Sequence, residues 1–213
     1  MCTGYMSLIA RRFVKHPVYS SSSGRYFSLK TSPCPSRFYT YVSRSEEDTE
    51  ILGSRFANWL MSVKEPENAI LCLHGDVGSG KSVFSRGFVR EIVGSKTDVP
   101  SPTYLLANEY EDRKNKTRII HADLYRLCSD SDDFDVLGIP FNGMTDKRTL
   151  CLIEWPERLI KSKDFHSRLD LFFQPQNFKE FDQPREIRVD TAGSSSSSSS
   201  KNWRYQLVQD LAL

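Results

Sequence analysis

The stretch Ala69-Ile70-Leu71-Cys72-Leu73-His74-Gly75-Asp76-Val77-Gly78-Ser79-Gly80-Lys81-Ser82 decides how this chain folds. Its first six residues are an apolar run of strand length, its middle is rich in glycine, and a helical stretch follows from about Lys81 to Val93. Gly75-x-x-x-x-Gly80-Lys81-Ser82 matches the Walker A pattern at every specified position. Glycines suit such a loop because the chain must turn sharply for successive backbone N–H groups to face phosphate oxygens. The helix adds the positive end of its dipole, Lys81 a mobile ammonium for β- and γ-phosphates, and Ser82 a hydroxyl that can ligate Mg2+. A plain Gly/Ser surface turn would have no reason to place Lys-Ser at the first helical turn.

Working outward, Ser45-Glu46-Glu47-Asp48 opens a helix by the capping-box pattern. Ile51, Leu52, Phe56, Trp59, Leu60 and Val63 then recur at helical spacing until Pro66. Beyond Pro100 and Pro102, Tyr104 to Tyr110 and Arg118 to Ala122 read as a hairpin around a polar turn. A short acidic helix is expected over Ser131 to Leu137, and strands over Thr149 to Ile153, Arg168 to Phe173 and Glu186 to Val189. The sum predicts an α/β fold: a P-loop NTPase-like three-layer sandwich with a mixed, partly antiparallel central sheet.

Mg2+ takes oxygen ligands and shares itself between phosphates and one or two carboxylates, so an acid is expected at the end of a neighbouring strand. Asp123 follows Arg118-Ile119-Ile120-His121-Ala122, and Glu154 follows Leu150-Cys151-Leu152-Ile153. Either alone reads equally well as an exposed acid at a strand end. Beside an intact phosphate loop they become candidates for metal ligation and water orientation, and the sequence leaves open which one touches the metal.

Residues 1 to 45 hold seven Lys/Arg and no acid, leaving 22 basic against 27 acidic side chains in the remainder. A body of net negative charge lacks the cationic field that drives sequence-independent nucleic-acid binding. The Arg- and Ser-rich start reads as an organelle transit peptide over 1–44, with a mitochondrial-type cut near Arg25-Tyr26-Phe27-Ser28. The matrix is therefore the expected location; the serines suit a chloroplast stroma address too, and an N-terminal extension with another role is the plain alternative. An ATP-binding domain is expected over 45–192, a polyserine linker or loop over 193–201, and a C-terminal strand or tail over 202–213, from the alternation in Trp203 to Val208. No apolar run is long enough to span a membrane. The five cysteines form no CxxC pair, and Cys72 and Cys151 sit in apolar runs as core residues.

Gly75 to Ser82, Ser101-Pro102-Thr103-Tyr104, Asn108-Glu109-Tyr110, His121-Ala122-Asp123-Leu124-Tyr125-Arg126-Leu127 and Leu152-Ile153-Glu154-Trp155-Pro156-Glu157 follow one another in an order that resembles the TsaE family, formerly YjeE. The likeness covers roughly residues 45 to 190. It implies a P-loop ATPase of tRNA threonylcarbamoyladenosine (t6A) biosynthesis, acting with TsaD-type and TsaB-type proteins that hold the tRNA, so that tRNA is met only indirectly. It further implies ATP and Mg2+ as cofactors. Asp76, Val77, Gly78, Ser79, Gly80, Lys81 and Ser82 would form the nucleotide loop, Asp123 would take the Walker B position, and Glu154 would be a metal-associated acid. Thr103 would be a switch-like residue near the γ-phosphate, and Trp155 would sit beside the site. Glu46 to Thr49 would lie near the adenine, and Arg185 at a late nucleotide contact.

Two rivals share the strand, loop and helix. A small-molecule kinase would use Asp123 or Glu154 as a base, but it needs a lid with arginines, and Arg113, Lys114 and Lys116 fall in a hairpin turn. A nucleotide-gated binding module would bind ATP merely to order a surface for a partner.

Overall fold

A computed structural model of the chain describes residues 38–64, 66, 68–127, 147–159, 168–175, 184–191 and 203–211. Seven strands, β1 (Phe38–Ser43), β2 (Ala69–His74), β3 (Ala107–Asp112), β4 (Thr117–Asp123), β5 (Arg148–Glu154), β6 (Arg168–Pro175) and β7 (Arg185–Asp190), form one sheet in the order β1-β7-β6-β2-β5-β4-β3. The four central strands β6, β2, β5 and β4 are parallel, and antiparallel pairs close both edges, β1–β7–β6 on one side and the β3–β4 hairpin on the other. The mixed sheet is thus parallel in the middle and antiparallel at both ends. Central parallel strands are covered on both faces, which is why β2 and β5 read as unbroken apolar runs.

Among the described residues three α-helices, α1 (Glu46–Ser62), α2 (Lys81–Val93) and α3 (Trp203–Leu211), pack on one face. Leu52, Phe56 and Leu60 of α1 and Phe84 and Phe88 of α2 meet Leu71, Leu73, Leu150 and Leu152 there. The opposite face gathers Ile70, Cys72, Ile120, Ala122, Cys151 and Ile153. Burial pushes the Cys151 thiol up to about 12 and that of Cys72 well upward, so both are inert core residues. The expected helix over Ser131 to Leu137 and the polyserine tract lie outside the described residues. No described helix is long and apolar enough to cross a membrane.

The start of α1 is built as its sequence suggests. Ser45 is the N-cap, its hydroxyl accepting from the Asp48 N–H at 3.0 Å, while the Asp48 carboxylate accepts from the Arg44 N–H at 3.0 Å. Ile51, counted on the apolar face, is instead exposed. Two glycines set the spacing between α1 and α2: a Cβ at Gly53 would lie 2.1 Å from the Phe84 carbonyl oxygen, and one at Gly87 1.9 Å from that of Glu50. The helices touch backbone to backbone.

Two boundaries differ from expectation. Phe38–Ser43 is a strand paired with β7, so the fold begins inside the segment assigned to the leader. Six aromatic, β-branched and serine residues without an acid satisfy a leader's composition and an edge strand's equally. The C-terminal segment is a helix, not a strand. Its buried residues Arg204, Leu207, Val208 and Leu211 recur at helical spacing, which the six-residue alternation was too short to reveal. It docks on α1, where Trp59 Nε1 donates to Asp210 at 2.8 Å and Arg55 to the Leu211 carbonyl at 2.7 Å.

Candidate active site

The carboxyl ends of β2, β4 and β5 meet the start of α2, and a cleft of roughly 220 Å³ opens there. Val77, Gly78, Gly80, Lys81, Ser82, Ser101, Thr103, Asp123, Tyr125, Glu154 and Trp155 line it. Clefts at this end of an open α/β sheet are where such folds bind ligands.

The loop between β2 and α2 needs its glycines. Gly75, Gly78 and Gly80 have φ of 142°, 78° and 106°, values that L side chains rarely adopt. Gly80 is the N-cap of α2 and has no side chain to cap it, leaving the first N–H groups of the helix directed at the cleft. A methyl group at Gly80 would also meet Arg185 Cδ at 3.4 Å and Thr49 Cγ2 at 3.6 Å, so α1 and β7 flank the loop at the two positions expected near the nucleotide. Gly80→Ala should therefore weaken ATP binding by about 1–3 kcal/mol, the cost of a strained backbone, while thermal unfolding shows the fold retained. Unchanged affinity by calorimetric titration would contradict this.

Lys81 is buried, and its ammonium donates to the carbonyls of Gly75 at 2.7 Å and Asp76 at 2.8 Å and lies 3.5 Å from the Ser79 hydroxyl. It also sits 4.5 Å from the Trp155 ring centre, a cation–π contact. Burial pushes its pKa below the ordinary lysine value, and the carboxylates of Glu154 and Asp123 oppose that shift. Asp76, through its carbonyl, and Ser79 thus steady Lys81 and are not among the residues that line the cleft.

The two acids stand side by side, because the β4–β5 register pairs Asp123 with Glu154. Their partners differ. Glu154 accepts from the Ser82 hydroxyl at 3.0 Å and faces His121 Nε2 at 2.8 Å. Asp123 accepts from Thr103 Oγ1 at 2.5 Å and from the Tyr125 N–H at 3.0 Å, with Ser101 Oγ at 3.4 Å. Thr103, expected as a switch-like residue, is held by Asp123. Trp155 takes a left-handed φ of 59°, which turns its ring over the cleft, 5.1 Å from the ring of Tyr125.

The donor set fits Mg2+. Ser82, Glu154 and Asp123 offer only oxygens, as a hard cation demands, and among the described residues no group of three or more His, Cys, Asp and Glu side chains forms a cage. That is the arrangement Mg2+ uses when substrate phosphates and water complete its shell. Sequence reasoning did not single out Ser101, Tyr125 or His121 as site residues. All three lie in the quoted motifs, but the hydrogen bonds that tie them to Asp123 and Glu154 become visible only in the folded chain.

A family model described as threonylcarbamoyl adenosine biosynthesis protein TsaE matches residues 43–183. A "tRNA threonylcarbamoyladenosine biosynthesis protein TsaE" of Haemophilus influenzae is 33% identical over 130 residues, which span 60% of this chain and 78% of that protein. The protein of the same description from Aquifex aeolicus is 35% identical over 118 residues, spanning 55% and 76%. That of Bacillus subtilis is 33% identical over 126 residues, spanning 58% and 70%. Among solved structures, the crystal structure of YdiB from Bacillus subtilis superposes with a TM-score of 0.56 at 21% identity, covering 88% of this chain and 97% of that one, a likeness of fold.

Proposed function

Since this chain belongs to the TsaE family, we propose that it is a Mg2+-dependent ATPase of t6A biosynthesis, which binds ATP through Gly75–Ser82 and drives the cycling of a TsaD-type partner. The observation that carries the reading is the convergence of the loop lysine, the Ser82 hydroxyl and two paired carboxylates on one cleft. Lys81 and the N–H groups of the loop bind and orient the phosphates. Ser82, Asp123 and Glu154 are the residues to hold Mg2+, which when bound neutralises charge building on the transferred phosphoryl group. Glu154 and Thr103, the latter held by Asp123, are the residues to orient the attacking water.

The site favours a partner-activated enzyme over a self-sufficient one. Lys81 is the one cation among the described residues that line the cleft, which leaves room for a partner to supply the further positive charge that phosphoryl transfer exploits. Large side chains also stand open to solvent here: Val77 and Tyr125 line the cleft, and Tyr104 and Leu105 follow its lining residue Thr103, with the Arg126 guanidinium over the Tyr104 ring. Apolar side chains gathered around a cleft mark a surface that a protein covers. The absence of arginines among those lining residues also counts against a kinase lid. The acid-free, Arg- and Ser-rich start supports delivery to the mitochondrial matrix, with the chloroplast stroma as the alternative.

Phosphate release should be slow for the protein alone and rise by about 10³-fold or more with a TsaD-type protein and tRNA. Glu154→Gln should bind ATP yet lose that activation. A variant that still cycles the partner would instead make this a nucleotide-gated module.

A further inference from the structure

Behind Glu154 stands a side chain that the proposed chemistry has not used. The alternation of β4 puts Ile119, His121 and Asp123 on the face toward α2, and Ile120 and Ala122 on the other. His121 is 0% exposed, and its Nε2 lies 2.8 Å from Glu154 Oε1, while Glu154 Oε2 takes the Ser82 hydroxyl at 3.0 Å. An ionised carboxylate only accepts, so the ring nitrogen facing it must carry the proton. Among the described residues the other nitrogen, Nδ1, is buried without a hydrogen-bond partner. An unpaired acceptor is tolerated in protein interiors more readily than an unpaired N–H, so the ring is fixed as the Nε2–H tautomer.

A side chain kept only to fill this space would be apolar, because an imidazole brings polar atoms into the core whose hydrogen bonds have to be made there. We propose that His121 is a positioning residue of the hydrolysis site. Its N–H fixes one oxygen of Glu154 so that the other faces Ser82 and the metal position. Glu154 has three rotatable side-chain bonds, whereas the fully buried ring stands on a strand paired on both sides, with Asn108 of β3 and Leu152 of β5 as its partners in register. The imidazole therefore supplies an orientation that the carboxylate lacks by itself. This rests on the reading of Ser82 and Glu154 as residues that hold Mg2+ with ATP.

The test uses the full-length protein with Mn2+, followed by electron paramagnetic resonance as a stand-in for Mg2+, and a non-hydrolysable ATP analogue. His121→Leu should weaken Mn2+ in the ternary complex about 10- to 100-fold, with metal-free nucleotide affinity unchanged. His121→Gln, whose amide can donate to Glu154, should recover most of the loss, and kcat should follow Mn2+ affinity while KM does not. In the wild-type protein, long-range 1H–15N spectra should show His121 protonated at Nε2 and bare at Nδ1, a readout that needs no variant to fold. Equal Mn2+ affinity in His121→Leu, or a ring protonated at Nδ1 alone, would overturn the proposal. A wild-type protein that binds the analogue with no dependence on metal would overturn the reading of the site instead.

Discussion

Lys81→Ala is expected to reduce Mg2+-dependent ATP hydrolysis by about 10²- to 10³-fold or more, the loss seen when one preorganised transition-state donor is removed. The ammonium is the sole cation among the described cleft residues, so no neighbour can substitute for it. The change also leaves the carbonyls of Gly75 and Asp76 without their donor, so the loop should loosen and ATP affinity fall. Circular dichroism should nonetheless report an intact fold, because Lys81 lies at the rim of the core and makes its bonds to its own loop. Phosphate release with and without a TsaD-type partner checks the first expectation. Retained partner-stimulated turnover would mean that hydrolysis is not run from this loop.

Gly87→Ala should lower stability by about 3 kcal/mol or more, although two general effects point in opposite directions. Intrinsic helix propensity favours alanine over glycine by about 1 kcal/mol. Against it, the new methyl carbon would lie 1.9 Å from the Glu50 carbonyl oxygen and 2.7 Å from its carbon, backbone atoms that cannot rotate away. Relief requires α1 and α2 to separate, which breaks the packing of Phe56 on Phe84, rings now 5.4 Å apart edge to face. Separation also strains the bonds from Glu50 to Arg86 at 3.3 Å and Arg90 at 2.9 Å. Overpacking on this scale outweighs propensity. A melting temperature equal to or above the wild type would refute the argument.

What could be read from the sequence was whatever is written in neighbouring residues. The strand, loop and helix around Gly75–Ser82, the Ser45 cap and the strands ending in Asp123 and Glu154 are local patterns, and the structure has them. The pairing of the two acids follows from register, and their division of labour depends on which hydroxyl each meets; neither is encoded within one segment. His121 reads in sequence as one more member of an apolar run, since only folding brings Glu154 to it. Phe38–Ser43 reads as leader because its acid-free composition suits both, and Trp203–Leu211 as a strand because six residues fit two periods; their partners, β7 and α1, lie far away in the chain.

The pairing of Phe38 with Asp190 has a consequence for how the chain acquires its structure. Among the described residues the first strand in the chain pairs with the last, and the central strand β2 must wait for β5 and then β6 before both of its edges are satisfied. Contacts so distant in sequence slow folding, because the entropy of closing long loops is lost before the contacts form. During synthesis, residues 38–43 and the bare edges of β2 therefore stay open until nearly the whole chain has emerged. Unpaired strand edges left open in this way are the surfaces through which a growing chain can join others.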